Sequence, residues 1–397
     1  MKKNDVYKGF EVLDVFKIPY YDSEGIFLRH KKSGLEVFHI LNNDEENLFA
    51  FAFRTPCKDN TGVAHIIEHS VLCGSKKFPI KDPFLQLRNQ SINTYLNAYT
   101  AKDRTVFPAS SLIKTDYFNL MSVYADAVFF PILNVETFLQ EGWRIETDQN
   151  GNPVIQGVVF NEMKGNYSSF NSVATDAVLN ASVLGTGYEK DSGGDPLEIP
   201  TLSYEQFKEF HKKYYCASNC LVFLYGNIPT EEQLDFLNEN VIKNIKSFGK
   251  KYSFDSENSF VKMKKRIDAF GPAEDSKNTT ALVWKIGDSA EKENLFSLPM
   301  EISFLGNDSA PVIKLLLNKF KGCDIAPQTG CSISSRFFSI AVGMNGLKPE
   351  EAQEFQNCID DSMKLLAENG IKEEDIERSF MSFDFSIREV KRSPSHG

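Results

Sequence analysis

Apolar and polar residues alternate along the start of the chain and then change period. Residues 9–54 read as strands, with Gly25–Leu41 alternating about a turn at Lys31-Lys32-Ser33-Gly34 and Leu48–Arg54 forming a short apolar strand. Beyond them a helix fits: Asn60 or Thr61 offers a cap and Gly74 a stop, leaving room for about three turns. Pro83 opens a short helix, and Ile92–Thr100 followed by Arg104–Phe107 returns to extended chain. Leu112, Tyr117, Leu120, Met121, Tyr124 and Val128 recur at helical spacing, which predicts a helix over Leu112–Phe130 ended by Pro131, then another over Val135–Ile145. Residues 157–169 look helical. Gly185–Pro196 is a Gly-rich loop that lacks the Gly-Lys-Ser/Thr ending of a phosphate loop. A helix at Ser203–Tyr215, a buried strand at Cys220–Tyr225 and a helix over Pro229–Ile245 complete a first unit.

Residues 246–265 are rich in Lys, Ser and Asp with little periodicity and read as a linker between a domain at 1–245 and another at 266–397. The pattern then restarts: a strand at Thr280–Ile286, helices at Glu293–Leu305 and Ala310–Phe320, a strand at Arg336–Val342, and helices at Pro349–Glu368 and from Lys372 onward. Strands and helices without regular alternation indicate α+β layers. The last helix runs into Arg-Ser-Pro-Ser-His-Gly with no cap or closing strand, so more chain is expected after it.

Composition narrows the function. A net charge of −10, a pI near 5.3 and the absence of a long Lys/Arg block argue against nucleic acid as partner. No apolar run approaches the roughly 20 residues of a membrane span, and the basic N-terminus has no apolar stretch behind it, so it is not a secretory signal. Seven cysteines, an odd number without paired spacing, read as free thiols in a reducing compartment. That compartment is the cytoplasm, or an organellar matrix if a transit peptide has been removed.

The chemistry concentrates in Asp59–Ser75, where His65, Glu68 and His69 form His-x-x-Glu-His, the inverse of the commoner zinc-protease helix. Residues four apart share a helix face, so the two imidazoles stand together and can hold one ion, with Glu68 beside them. A catalytic zinc takes three protein ligands and keeps one position open, so two histidines are one ligand short and a carboxylate is the usual third. Glu162, in the helical segment with Val158, Val159 and Met163 as buried neighbours, is a candidate. His211 reads as packed or solvated rather than as a ligand.

Four stretches carry a resemblance: Thr61–Ser75, Gly157-Val-Val-Phe-Asn-Glu-Met-Lys-Gly165, Gln140-Glu-Gly-Trp-Arg144 and Ser192-Gly-Gly-Asp-Pro196. Together they make the whole chain similar to the presequence-protease and falcilysin branch of the pitrilysin/insulinase metallopeptidases, and to the N-terminal half of its members. The resemblance implies two consecutive similar α+β domains, each a mainly antiparallel sheet packed with helices. It implies one Zn²⁺ on His65, His69 and Glu162, with Glu68 as catalytic base. It also implies that Asn97, Ala98, Tyr99 and Thr100 form an edge strand on which an unstructured peptide lies extended, inside a chamber closed by the C-terminal half. That half would supply an Arg and a Tyr that have no counterpart here, and its absence would favour self-association. The chemistry expected is attack of a zinc-activated water on a peptide bond, with Glu68 carrying the proton to the leaving amine. The alternative is a non-catalytic peptide-binding or scaffold homologue, which the presence of all four site residues disfavours.

Overall fold

A computed structural model describes residues 1–253, 267–269, 271–272, 278–289, 291, 310–332 and 336–389. The helix expected at Glu293–Leu305, residues 254–265 of the expected linker and the closing residues 392–397 lie outside them. The described residues form two compact units: those of 1–163 with 191–253, and those of 164–190 with 267–389. The sequence division at 245 therefore differs from the compact units at 164–190, which pack with the later residues.

In the first unit the alternating segments become β1 (Val6–Tyr7), β2 (Phe10–Ile18), β3 (Ser23–His30), β4 (Glu36–Leu41) and β5 (Asn47–Arg54). Helix α1 (Val63–Val71) and α2 (Pro83–Gln90) follow, then β6 (Asn93–Leu96), β7 (Tyr99–Thr100) and β8 (Arg104–Ser111). Helix α3 (Lys114–Phe129) lies where its spacing put it, and its Tyr117, Leu120, Met121, Tyr124 and Val128 are all buried. The rings of Phe49 on β5 meet Tyr117 and Tyr124 edge-on at 5.4 and 5.5 Å, which fixes α3 across the sheet.

Helix α4 (Val135–Glu141) stops at Gly142 rather than reaching Ile145, and the chain turns into the hairpin of β9 (Arg144–Thr147) and β10 (Pro153–Gln156). The glycine ends the helix, and Arg144–Thr147 pairs with Pro153–Gln156 instead of continuing it. Helix α5 (Val158–Tyr167) comes next, then α6 (Phe170–Ser182), α7 (Tyr204–Tyr214), β11 (Cys220–Gly226) and α8 (Thr230–Leu237). The large sheet runs β1-β2-β3-β4-β11-β5-β8-β6, with β7 also on β8. All its pairs are antiparallel except β11 with β4. Residues 248–252 are pinned to this unit: Ser218 N–H donates to the Phe248 carbonyl at 3.1 Å, and Lys251 Nζ reaches buried Glu36 at 2.7 Å.

The second unit holds α6, β12 (Thr279–Asp288), α9 (Pro311–Lys319), β13 (Asp324–Ile325), β14 (Gly330–Ser332), β15 (Phe337–Asn345), α10 (Ala352–Asn369) and α11 (Glu373–Arg388). Strand β15 is central, with β12, β13 and β14 antiparallel to it. Ile313, Leu316, Met344, Phe355 and Ile359 form the core between this sheet and α9 and α10. Both units are α+β with mainly antiparallel sheets.

Two buried histidines make the first unit acid-sensitive. His39 on β4 is fully covered, with Nδ1 2.9 Å from Thr230 Oγ1 and no partner for Nε2 among the described residues. His211 on α7 donates from Nε2 to the Val128 carbonyl at 2.9 Å. Burial lowers both pKa values to about 4. The unfolded chain, with histidines near 6.5, binds protons that the fold refuses, so stability is full above that pH and falls as pH drops toward 4. Each residue accounts for about 2–3 kcal/mol over that range. Thermal midpoints measured from pH 7 to 4.5 are expected to fall, and less steeply in His39→Gln; equal slopes would remove His39 from the account.

Candidate metal centre

Helix α1 packs against β7 and β8 of the sheet and against α4 and α7. Its Ile66, Ile67 and Val71 are buried, so the other face presents His65 and His69, whose ring centroids stand 4.8 Å apart. Neither expected cap is used. Gly62, left-handed at φ 67°, occupies the cap position, while Thr61 Oγ1 donates to Asp59 Oδ1 and the Asn60 side chain bonds elsewhere.

Helix α5 brings Glu162 to the two imidazoles. Its start is drawn in by a backbone contact that only glycine permits, because a side chain at Gly157 would run into the Gly142 carbonyl. Glu162 Oε2 lies 3.7 Å from His65 Nε2 and 3.8 Å from His69 Nε2. Among the described residues, these three form the one group of His, Cys, Asp and Glu side chains placed to hold a metal ion. A tetrahedral zinc with bonds of about 2.0–2.1 Å needs ligand atoms roughly 3.4 Å apart; the two Glu162–histidine distances are a few tenths of an ångström longer, and all three ligand atoms lie within 4.8 Å of one another. The donor set, two imidazoles and a carboxylate, is one zinc accepts in catalytic sites.

The hydrogen bond at the second nitrogen of each ring decides which nitrogen is left to face Glu162. His65 Nδ1 is 3.1 Å from the Gly193 carbonyl, and His69 Nδ1 is 3.4 Å from Glu141 Oε2. Carbonyl and carboxylate oxygens only accept, so each Nδ1 carries the proton and each Nε2 turns a lone pair toward Glu162. Glu141 is buried at the end of α4 and also takes a hydrogen bond from Gln140 Nε2 at 2.8 Å. Burial raises its carboxyl pKa, but the hydrogen bonds from His69 and Gln140 outweigh that and lower it. Burial equally opposes the charged form of His69, yet the Glu141 bond and the surrounding carboxylates win and raise its pKa.

Glu68 sits on the same helix, only 7% exposed and outside the trio. Burial raises its pKa against the opposing hydrogen bond of Thr100 and the fields of both histidines. A carboxyl in that state is suited to passing a proton.

Of Asn97–Thr100, only Tyr99 and Thr100 are strand residues, paired with Val106 and Thr105 of β8. Asn97 and Ala98 form the break after β6, where the Asn97 carbonyl accepts from Tyr124 Oη at 3.1 Å and the Ala98 N–H bonds Asn97 Oδ1. Strands β6 and β7 lie at the edge of the sheet, with β8 as their only strand partner among the described residues. Sequence reasoning missed Glu141 and the Gly193 carbonyl as ring orienters. Both belong to quoted motifs, Gln140–Arg144 and Ser192–Pro196, and recurrence as motifs was the available signal.

Comparison with known proteins bears on this geometry. The family described as Insulinase (Peptidase family M16) matches residues 54–175, which contain all four residues of the site, and Peptidase M16 inactive domain matches 201–382. Protein HypA of Clostridium perfringens is 39% identical over 98% of the chain, and presequence protease 1, chloroplastic/mitochondrial, of Arabidopsis thaliana is 36% identical over 96%. The chain spans 40% and 36% of the length of those two relatives. The crystal structure of pitrilysin superposes with a TM-score of 0.65 at 18% identity, covering 98% of this chain and 41% of that one, a likeness of fold.

Proposed function

Because this chain belongs to the presequence-protease branch of the insulinase (M16) peptidase family, we propose that it is the N-terminal, catalytic half of a zinc metalloendopeptidase that degrades unstructured peptides. The observation that carries the reading is the convergence of His65 Nε2, His69 Nε2 and Glu162 Oε2 with Glu68 alongside. Zinc, when bound, would supply a Lewis acid and lower the pKa of water at the open position. The chain's own groups do the rest. Gly193 and Glu141 hold the two imidazoles by their Nδ1 protons. Glu68 takes a proton from the attacking water and delivers it to the leaving amine. The exposed edge at Tyr99–Thr100 offers backbone groups to an extended peptide, so recognition is loose in side-chain sequence.

The stretch matched as an inactive domain contains no metal-holding group among its described residues, which supports placing the chemistry in the first unit alone. All seven cysteines are free, in keeping with a reducing compartment, and no helix among the described residues is long and apolar enough to cross a membrane. The partner that completes the chamber is the C-terminal half of the same enzyme.

An assay of the complete enzyme on an unstructured peptide tests the proposal. Cleavage is expected to stop with a chelator and return with zinc, while a stably folded protein is spared. Cleavage indifferent to chelation would take the metal out of the reaction.

A further inference from the structure

The loop Ser192–Pro196 is held to the segment leading into α1 by one residue, Asn60, that the chemistry above does not use. Asn60 Oδ1 accepts from Asp191 N–H at 2.9 Å, Asn60 Nδ2 donates to Glu198 Oε1 at 2.7 Å, and the Asn60 carbonyl accepts from Asp195 N–H at 2.8 Å. Asn60 thus grips the chain just before the Gly193-Gly194 pair, at Asp191, and just after it, at Asp195 and Glu198. Asp191 Oδ1 in turn accepts from Gly193 N–H at 2.9 Å, and the Gly193 carbonyl receives His65 Nδ1. The fit leaves no slack. A Cβ at Gly62, two residues after Asn60, would stand 2.6 Å from the Gly193 oxygen, and one at Gly193 would stand 2.7 Å from Met163 Cε. Met163 follows the proposed ligand Glu162, so the same loop touches both sides of the cluster.

We propose that Asn60 and Asp191 are positioning residues for the metal: they fix the Gly193 carbonyl so that His65 is held in its Nδ1–H tautomer with Nε2 aimed at the ion. This rests on the zinc-site reading above. The cost of losing such an orienting partner is typically 10–100-fold in metal affinity, because the ring is then free to turn and to exchange tautomers. A side chain needed only for folding would instead alter the zinc-free protein and leave the affinity of the folded fraction unchanged.

The test is zinc affinity by competition with a chromophoric chelator on the full chain, alongside the thermal midpoint of the zinc-free protein. Asn60→Ala and Asp191→Ala are expected to bind zinc about 10–100-fold more weakly than the parent. Asp191→Asn, which keeps an oxygen for the Gly193 N–H, is expected to stay within about threefold. If the parent binds no zinc, the metal site itself fails. If the parent binds and either alanine variant that retains a folding transition binds within about twofold, only the positioning role is overturned.

Discussion

Glu68→Gln is expected to leave zinc bound and to reduce peptide turnover by about 10²–10⁴-fold. The amide keeps the size and most of the packing of a side chain that is 7% exposed next to Thr100, but it cannot accept the proton of the attacking water. The assay belongs on the chain combined with the proposed C-terminal half, with metal content measured on the same sample. Glu162→Gln is the contrasting variant: it removes a carboxylate from the cluster itself, so zinc affinity falls along with activity. Near-parental turnover in Glu68→Gln would refute the assigned role, and zinc loss in that variant would mean that Glu68 is a ligand.

The second large effect concerns the proposed C-terminal half. This chain alone is expected to bind zinc and fold, yet to hydrolyse an unstructured peptide at least about 10²–10³-fold more slowly than the same chain mixed with a separately expressed C-terminal half. That is the usual cost of losing one donor to the developing oxyanion, and losing the surface that positions the substrate adds to it. Helix α11 leaves Ile376, Phe380, Met381 and Phe385 between 41% and 70% exposed, an apolar stripe that favours self-association of the isolated chain. Sedimentation of the chain with and without the other half measures that, and equal rates in both samples would show that the site is self-sufficient.

What could be read from the sequence was what is local. The spacing of His65 and His69 fixes their common face whatever packs around α1, and the apolar period of Tyr117–Val128 fixes α3. The α+β class and the family followed from patterns and motifs of the same short range. Glu162 is distant in sequence from the histidines, so the residues left the third ligand open and only the resemblance chose it. The orienting groups were less visible still. Glu141 acts because α4 packs on α1, and Gly193 acts through a carbonyl that every residue possesses. The misplaced cap has the same origin: Asn60 is a good capping residue whose side chain is claimed by Asp191 and Glu198, more than a hundred positions away. Helix α4 is shorter than its apolar pattern suggests because Ile145 keeps the helical period although Gly142 interrupts the helix. Helix α6 carried a local signal in its Ser169 cap, which accepts from Ser172 N–H.

The central claim is that His65, His69 and Glu162 hold one zinc ion, and metal analysis of protein purified without added zinc tests it most directly. The account predicts about one zinc per parent chain and almost none in the His65→Ala/His69→Ala double variant. Full occupancy in that double variant would contradict it.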